Sequence, residues 1–269
     1  MYCRGVLSLV LAATISLPLP GCTRGADHAQ KVDRGILWVR NSAEFEALSL
    51  QAYRAAGNFL PQAIADTDWS ALPGQAGAAD LPPAIIFDVD ETLVSTVEFQ
   101  VLLEPPFRNS KLDDWNIANK AKAVPGAVGF TGQARAAGVE LFFVTNRQCE
   151  ERPDVTDSCP QEAVTIQDLA EIGIPADPEH LMLANERPEW DREKSTRRNY
   201  VAMTHRVIML IGDDLGDFMP CTRRKPLSPC TEGATVDSRR AATFENKSYW
   251  GAGWFVLPNP MHGSWTSVE

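Results

Sequence analysis

The sequence lacks the features of a nucleic-acid binder and of a zinc protein. Its 25 lysines and arginines are outnumbered by 35 acidic residues, which gives a net charge of -10, so it has no basic footprint for a nucleic-acid polymer. It contains only four histidines and no C-x-x-C pair, which argues against zinc. The apolar run over residues 6–15 is too short to cross a membrane as a helix. The remaining composition, 44% hydrophobic and 22% charged, is that of an ordinary globular domain.

The first residues predict export. Arg4 precedes the apolar run, and small and helix-breaking residues follow it, so residues 1–21 are predicted to be a signal peptide. Cys22 follows directly, and the Leu-Pro-Gly-Cys sequence at residues 19–22 resembles a bacterial lipobox. This resemblance implies that Cys22 carries lipid and anchors the protein to the outer membrane; a periplasmic location, plain secretion and a retained N-terminal anchor are the alternatives. Residues 22–37 are predicted to be a tether.

The cysteines that remain after the first 22 residues fall into two pairs of near neighbours. Of the three connectivities that four cysteines allow, the spacing favours Cys149–Cys159 and Cys221–Cys230, which suits an oxidising compartment. Residues 222–226 (T-R-R-K-P) form a basic loop between the second pair. Either this loop attracts anions near the functional site, or it is a stapled surface loop.

The segment 38–83 is predicted to be helical at its start and a loop at its end. Asn41, with Glu44 three residues later, forms a variant of the capping box. Apolar residues then follow at helical spacing. They are Phe45, Leu48, Ala52, Ala56 and Phe59. Residues 69–83 are rich in alanine, glycine and proline, which is typical of a connecting loop.

From residue 84 onward, short continuous apolar runs alternate with helical patterns. The clearest runs are residues 84–88, 140–145 and 206–213, and weaker ones are residues 180–183 and 254–257. Helices are predicted over residues 127–137 and 161–172. Strands that are apolar throughout are buried on both faces, so residues 84–269 are predicted to form a doubly wound α/β fold with a parallel sheet. A small helical cap is predicted to be inserted at about residues 95–124.

Each of the three clearest runs ends in polar residues, and ligands bind at this edge of a parallel sheet. They are D-V-D-E-T at residues 88–92, T-N-R at residues 145–147 and G-D-D-L-G-D at residues 212–217. Asp88, held rigidly after a strand, is suited to attack phosphorus, and Asp90 is suited to general acid/base catalysis. Such a density of carboxylates near a phosphate requires a hard cation, and Mg²⁺ prefers oxygen ligands. Thr145 and Lys194 are candidates for binding the remaining phosphoryl oxygens.

These elements resemble the four motifs of the haloacid dehalogenase superfamily. More narrowly, four further stretches are similar to the class C acid phosphatases, which include the bacterial lipoprotein e nucleotidases. They are W-V-R-N-S-A-E-F at residues 38–45, Q-A-Y at residues 51–53, V-P-G-A at residues 124–127 and L-P-N-P at residues 257–260. The similarity extends over residues 38–265.

The resemblance implies a role for each matching residue. Asp88 would be the nucleophile and Asp90 the general acid/base. Mg²⁺ would be held by the Asp88 carboxylate, the Asp90 backbone carbonyl and Asp213. Thr145 and Lys194 would bind phosphate. Asp217 would orient Lys194.

Substrate recognition is predicted from four residues. Asn146 and Arg147 follow Thr145 directly and are predicted to contact the substrate. The resemblance implies that Trp115 in the insertion stacks on a nucleobase or another flat leaving group. A tyrosine in the family's N-P-x-Y-G-like stretch would be its partner, but this sequence has His262 there. Core packing for Trp115 and an ordinary loop position for His262 are the alternatives.

The sequence therefore predicts an exported, Mg²⁺-dependent acid phosphatase that forms an aspartyl-phosphate and cleaves small phosphomonoesters, including 5′-nucleotides. One alternative is a broad-specificity phosphatase or phosphotransferase without nucleotide preference. The other is a non-catalytic lipoprotein that binds a cation at its acidic edge. A homodimer is a further possibility that the sequence leaves open.

Overall fold

The computed structural model describes residues 33–118, 122–153 and 155–268. The predicted signal peptide, the lipidation site Cys22 and most of the predicted tether lie outside these ranges, so they stay predictions. Within the described ranges, no helix combines the length and the apolarity that a membrane crossing requires.

Two helices precede the sheet, and each has a side-chain cap. Helix α1 (Arg34–Asn41) begins after Asp33, whose carboxylate accepts a hydrogen bond from the Gly35 amide at 2.6 Å. Helix α2 (Ala43–Ala65) begins after Ser42, whose hydroxyl accepts a hydrogen bond from the Phe45 amide at 3.1 Å. The two caps determine where the chain becomes helical.

The structure corrects three details of the predicted N-terminal segment. The predicted tether reaches residue 37, but α1 already begins at Arg34 because Asp33 caps it. Asn41, the predicted cap, is the last residue of α1, and Ser42 takes that role. Leu48, predicted to be buried, is 42% exposed. The buried face of α2 instead follows a spacing of three or four residues that bypasses this position. Its buried members include Phe45, Ser49, Tyr53, Ala56 and Leu60.

A five-stranded sheet forms the centre of the fold. The strands of the chain are β1 (Pro83–Phe87), β2 (Val94–Ser95), β3 (Lys122–Ala123), β4 (Glu140–Gln148), β5 (Leu181–Ala184), β6 (Arg206–Gly212) and β7 (Trp254–Val256). Five of them pair in parallel in the order β5-β4-β1-β6-β7. The first strand lies in the middle and the chain winds outward on both sides, which confirms the predicted doubly wound α/β fold.

Helices cover both faces of this sheet. The remaining helices are α3 (Val97–Leu102), α4 (Asn109–Ala118), α5 (Ala127–Ala136), α6 (Pro160–Glu171), α7 (Ser195–Ala202) and α8 (Val236–Glu245). Ile85 and Phe87 of β1 pack into one core with residues of α2 and α5. Ala84 and Ile86 pack into a second core on the opposite face, which contains Trp254. Because alternate residues enter different cores, β1 is apolar throughout.

The predicted insertion consists of α3 and α4, between the short antiparallel strands β2 and β3. We call α3, α4 and their connection the cap. Polar side chains attach the cap to the segment after β4. The Asn109 side-chain amide donates to Gln148 at 2.6 Å and to Glu150 at 2.8 Å. Asp113 forms a 2.8 Å ion pair with Arg152.

Both disulfides that the cysteine spacing favours are present. Cys149–Cys159 closes the segment between β4 and α6, to which the cap is attached. Cys221–Cys230 closes the basic loop that follows β6. Each bond therefore constrains a loop at the carboxyl end of the sheet.

Candidate active site

A cavity of about 340 Å³ opens at the carboxyl ends of β1, β4 and β6. This is the size of a site for a small molecule. Three kinds of residues line it. Strand ends contribute Asp88, Asp90, Thr145, Asn146, Arg147 and Asp213; the cap contributes Leu103, Phe107 and Leu112; later segments contribute Lys194, Asp217 and His262.

Three carboxylates converge at the base of the cavity. Asp88 follows β1, Asp213 follows β6, and Asp217 ends a short 3-10 helix after β6. One oxygen of each lies within 4.8 Å of the other two. Gly212 makes this approach possible, since a Cβ atom there would overlap the Asp217 side chain. The local chain is thus arranged to bring Asp217 back onto the strand end.

Lys194 lies against two of the three acids in this cluster. Its side chain is buried, and its ammonium donates to one Asp217 oxygen at 2.6 Å and to Asp88. Burial disfavours the ammonium, but the two carboxylates outweigh burial and raise the pKa of Lys194. The lysine is therefore charged in the site, where it partly neutralises two of the three acids.

The acids themselves are held in a state that favours protonation when no cation is present. Burial, together with nearby carboxylates, raises the pKa of Asp88 from 3.8 to about 7 in spite of Lys194. Burial and the charges of Asp88 and Asp217 also raise the pKa of Asp213 well above its ordinary value. A cation bound here would relieve this repulsion.

The donor set at the cluster fits a hard divalent cation. All three side chains offer carboxylate oxygens, and this is the ligand type that Mg²⁺ selects. The Thr92 hydroxyl lies 3.3 Å from both Asp88 and Asp213, and Asn259 donates to Asp213 at 2.7 Å. The first and third predicted ligands, Asp88 and Asp213, are therefore brought together and oriented by neighbouring side chains.

Asp90 and Arg147 form a pair beside the cluster. Two Arg147 nitrogens donate to the Asp90 carboxylate at 2.8 and 3.0 Å, so this carboxylate is directed at the arginine. The third nitrogen donates to Asp168 at 2.6 Å and to Thr165 at 3.2 Å. All three guanidinium nitrogens have partners within the protein, and Arg147 also lines the cavity, so its predicted contact with the substrate stays a prediction. Any metal contact of Asp90 is left to its backbone carbonyl, as the resemblance implied.

Thr145 and Asn146 lie in the second half of β4 and line the same cavity. The Thr145 hydroxyl accepts a hydrogen bond from the Arg147 amide at 3.1 Å. The side-chain oxygen of Asn146 accepts one from Arg197 at 3.0 Å, and Arg197 also donates to the Thr145 carbonyl. Arg197 was not predicted as part of the site, and its place within a run of basic residues gave no signal of this contact.

The structure places Trp115 away from the cavity. Its ring packs against Phe99 inside the cap, with ring centroids 5.9 Å apart, and Trp115 is not among the lining residues. This corrects the prediction that it stacks on a leaving group. Phe107 is the cap aromatic that lines the cavity, and it is 46% exposed. It precedes α4, and the sequence offers no pattern that distinguishes it from Trp115.

His262 lines the cavity and is paired with Glu91. The ring nitrogen Nε2 lies 2.9 Å from Glu91, which is buried and also accepts hydrogen bonds from the Thr96 amide and hydroxyl. Burial disfavours the imidazolium, but Glu91 and the acids behind it raise the pKa of His262. Glu91 was not predicted as a site residue, although it lies within the D-V-D-E-T motif.

Comparison with known proteins agrees with this geometry. The protein-family model described as HAD superfamily, subfamily IIIB (acid phosphatase), matches residues 23–265. Two solved structures of the class C acid phosphatase from Bacillus anthracis, one of them with tungstate bound, are similar to this chain. Each has 28% sequence identity and a TM-score of 0.67, and the match covers 86% of this chain and 84% of theirs. The family match includes every residue that lines the cavity except Thr266.

Proposed function

The chain belongs to subfamily IIIB of the HAD superfamily, the acid phosphatases, and is therefore a phosphomonoester hydrolase; we propose that it is Mg²⁺-dependent and uses Asp88 as the nucleophile. The observation that carries this proposal is the convergence of Asp88, Asp213 and Asp217 within 4.8 Å at the base of the cavity. Lys194 neutralises only part of their negative charge, so a bound divalent cation would relieve the remaining repulsion. Because the family is enzymatic, the alternative of a non-catalytic lipoprotein is set aside.

In the proposed reaction, a carboxylate oxygen of Asp88 attacks phosphorus while the bond to the leaving oxygen breaks. Asp90 gives its proton to that oxygen, so a neutral alcohol departs and an aspartyl-phosphate remains. Asp90 then takes a proton from water, which attacks phosphorus and releases phosphate from Asp88. Arg147, bonded to Asp90 through two nitrogens, keeps that carboxyl group in one orientation.

The charge that develops on the phosphoryl group needs cationic and hydrogen-bonding partners. Lys194 supplies a buried ammonium. Its Nζ donates to a carboxylate oxygen of Asp217 at 2.6 Å, which keeps the ammonium beside Asp88. Thr145 supplies a hydroxyl at the end of the neighbouring strand. When bound at the acid cluster, Mg²⁺ supplies further positive charge for the phosphate and the carboxylates.

A phosphatase assay with and without chelator tests the proposal. We expect the wild-type protein to hydrolyse a panel of phosphomonoesters, to lose activity in excess EDTA and to regain it with Mg²⁺. Asp88→Asn should lower kcat by at least about a thousandfold, because the amide does not replace the nucleophile. Asp68→Asn, an exposed aspartate outside the cavity, is the matched control and should retain activity. Full activity after complete metal removal would disprove the role of the cation.

We further propose that 5′-nucleotides are among the substrates. The support is the apolar wall that the cap presents to the cavity through Leu103, Phe107 and Leu112. An exposed aromatic ring provides a flat surface for a nucleobase. The competing proposal, broad specificity without nucleotide preference, requires no such contact.

Substituting the two cap aromatics separates these possibilities. Phe107→Ala should lower kcat/KM for adenosine 5′-monophosphate about tenfold more than for methyl phosphate, which has no ring to stack. Trp115→Ala is the comparison, because this ring packs inside the cap and outside the cavity. Equal losses on both substrates in Phe107→Ala would favour broad specificity.

We also propose that the protein is exported and anchored through lipid on Cys22. The two disulfides support an oxidising compartment. The mass of the mature N-terminus and the membrane fraction of wild type and Cys22→Ser test this proposal. Unmodified protein with an intact leader would contradict it.

A further inference from the structure

Two arginines on one wall of the cavity have no role in the proposed phosphate chemistry. Arg192 lies in the loop between β5 and α7, two residues before Lys194. Arg223 lies in the loop that the Cys221–Cys230 disulfide closes. Both line the cavity, so two distant parts of the chain bring positive charge to the same wall.

Neither guanidinium is held by a hydrogen bond or an ion pair within the part of the chain that the structure describes. The side chains of Arg192 and Arg223 have no hydrogen bond or ion pair with any described residue. They are close enough to affect each other, because burial and then the charge of Arg223 lower the pKa of Arg192. The carboxylate that faces Arg223 is Asp214, and its two oxygens accept the Gly216 and Ser264 amides. The N–H groups of both arginines are therefore available to a ligand.

The wall that carries Arg223 is held in place. Thr222 is buried, and its carbonyl accepts a hydrogen bond from Arg239, which also donates to the Ser264 hydroxyl at 2.6 Å. The Arg223 carbonyl accepts a hydrogen bond from the Ala234 amide at 2.8 Å. With the disulfide, these bonds keep the backbone at Arg223 next to the cavity.

We propose that Arg192 and Arg223 form a second anion-binding subsite, which selects phosphomonoesters whose leaving group carries an additional anionic group. The inference rests on the proposed function, because the phosphate to be cleaved occupies the end of the cavity at Asp88 and Lys194. Guanidinium groups bind carboxylates and phosphates through parallel N–H donors. A substrate with two anionic ends would thus be held at both, with its middle part beside the cap.

Two pairs of substrates test the subsite, and the members of each pair differ chiefly by one carboxylate. They are 3-phosphoglycerate with glycerol 3-phosphate, and the longer 6-phosphogluconate with sorbitol 6-phosphate. We expect wild type to prefer the carboxylate member of at least one pair by about tenfold in kcat/KM, the effect of one charge-assisted contact. Arg223→Ala and Arg192→Ala should each reduce that preference by most of this factor. Arg223→Glu should reverse it.

Lys225→Ala is the matched control, because Lys225 is an exposed cation in the same disulfide loop and does not line the cavity. It should retain the wild-type preference. Equal losses on both members of a pair in the arginine variants would overturn the subsite and indicate general attraction of phosphate. Absence of any preference in wild type would also overturn it. If wild type cleaves no member of either pair, the proposed function itself fails, which distinguishes the two failures.

Discussion

Replacing Asp88 by asparagine should change how the stability of the metal-free protein depends on pH. In the folded protein, burial raises the pKa of Asp88 from 3.8 to about 7. The folded state therefore binds a proton more tightly than the unfolded chain does. Since stability falls with rising pH wherever the folded state holds more protons, the contribution of Asp88 is lost between about pH 4 and pH 7.

The size of the effect follows from the two pKa values. At roughly 1.4 kcal/mol per pKa unit, the whole difference is about 4 kcal/mol, and more than half of it falls between pH 5 and pH 7.5. The asparagine variant lacks this titrating group. The free energy of unfolding of wild type minus that of Asp88→Asn should therefore decrease by roughly 2 to 3 kcal/mol over this interval. Relief of the repulsion on Asp213 in the variant acts in the same direction.

Urea unfolding in EDTA at several pH values measures this difference. Asp68→Asn is the control, because Asp68 is exposed and lies outside the acid cluster. Saturating Mg²⁺ should stabilise wild type more at pH 7.5 than at pH 5, because protons compete with the ion for the cluster. A difference between wild type and Asp88→Asn that is flat or grows with pH would refute the assignment of a raised pKa to Asp88.

Two further predictions concern the residues that support the site. Asp168→Ala removes one of the two carboxylates that Arg147 contacts. Because this breaks a buried ion pair, the free energy of unfolding, measured in urea, should fall by about 3 kcal/mol. A loss under about 1 kcal/mol would contradict this role of Asp168. Gly212→Ala places a Cβ atom where the Asp217 side chain lies. The displaced Asp217 should lower kcat roughly a hundredfold while the disulfide-linked fold persists. A variant that keeps the kcat of wild type would show that catalysis does not need Asp217 in this position.

The strands and the acid cluster could be predicted because local chemistry determines both. The apolar runs that begin at residues 84, 140 and 206 correspond to β1, β4 and β6, since strands buried on both faces must be continuously apolar. Asp88 and Asp213 follow two neighbouring strands of a parallel sheet, so their proximity was a consequence of the fold.

The partners of long side chains could not be predicted in this way. The sequence places Arg147 directly after Thr145 and Asn146, but it did not predict the ion pair with Asp168, which lies on α6 and comes close only in the folded chain. Trp115 and Phe107 are both cap aromatics, and the packing of α4 and of the segment before it decides which of them lines the cavity. Such choices depend on packing between elements, and the sequence spacing does not contain them.

The separation between the cap and the strand ends has an evolutionary consequence. The acid cluster and Lys194 belong to the strand ends and to the loops after the strands, whereas Leu103, Phe107 and Leu112 of the same cavity belong to the cap. Sequence changes in residues 97–118 can therefore alter the range of leaving groups while the residues of the acid cluster stay the same. Exchanging this insertion between homologous enzymes offers a route to new specificities on one conserved hydrolytic scaffold.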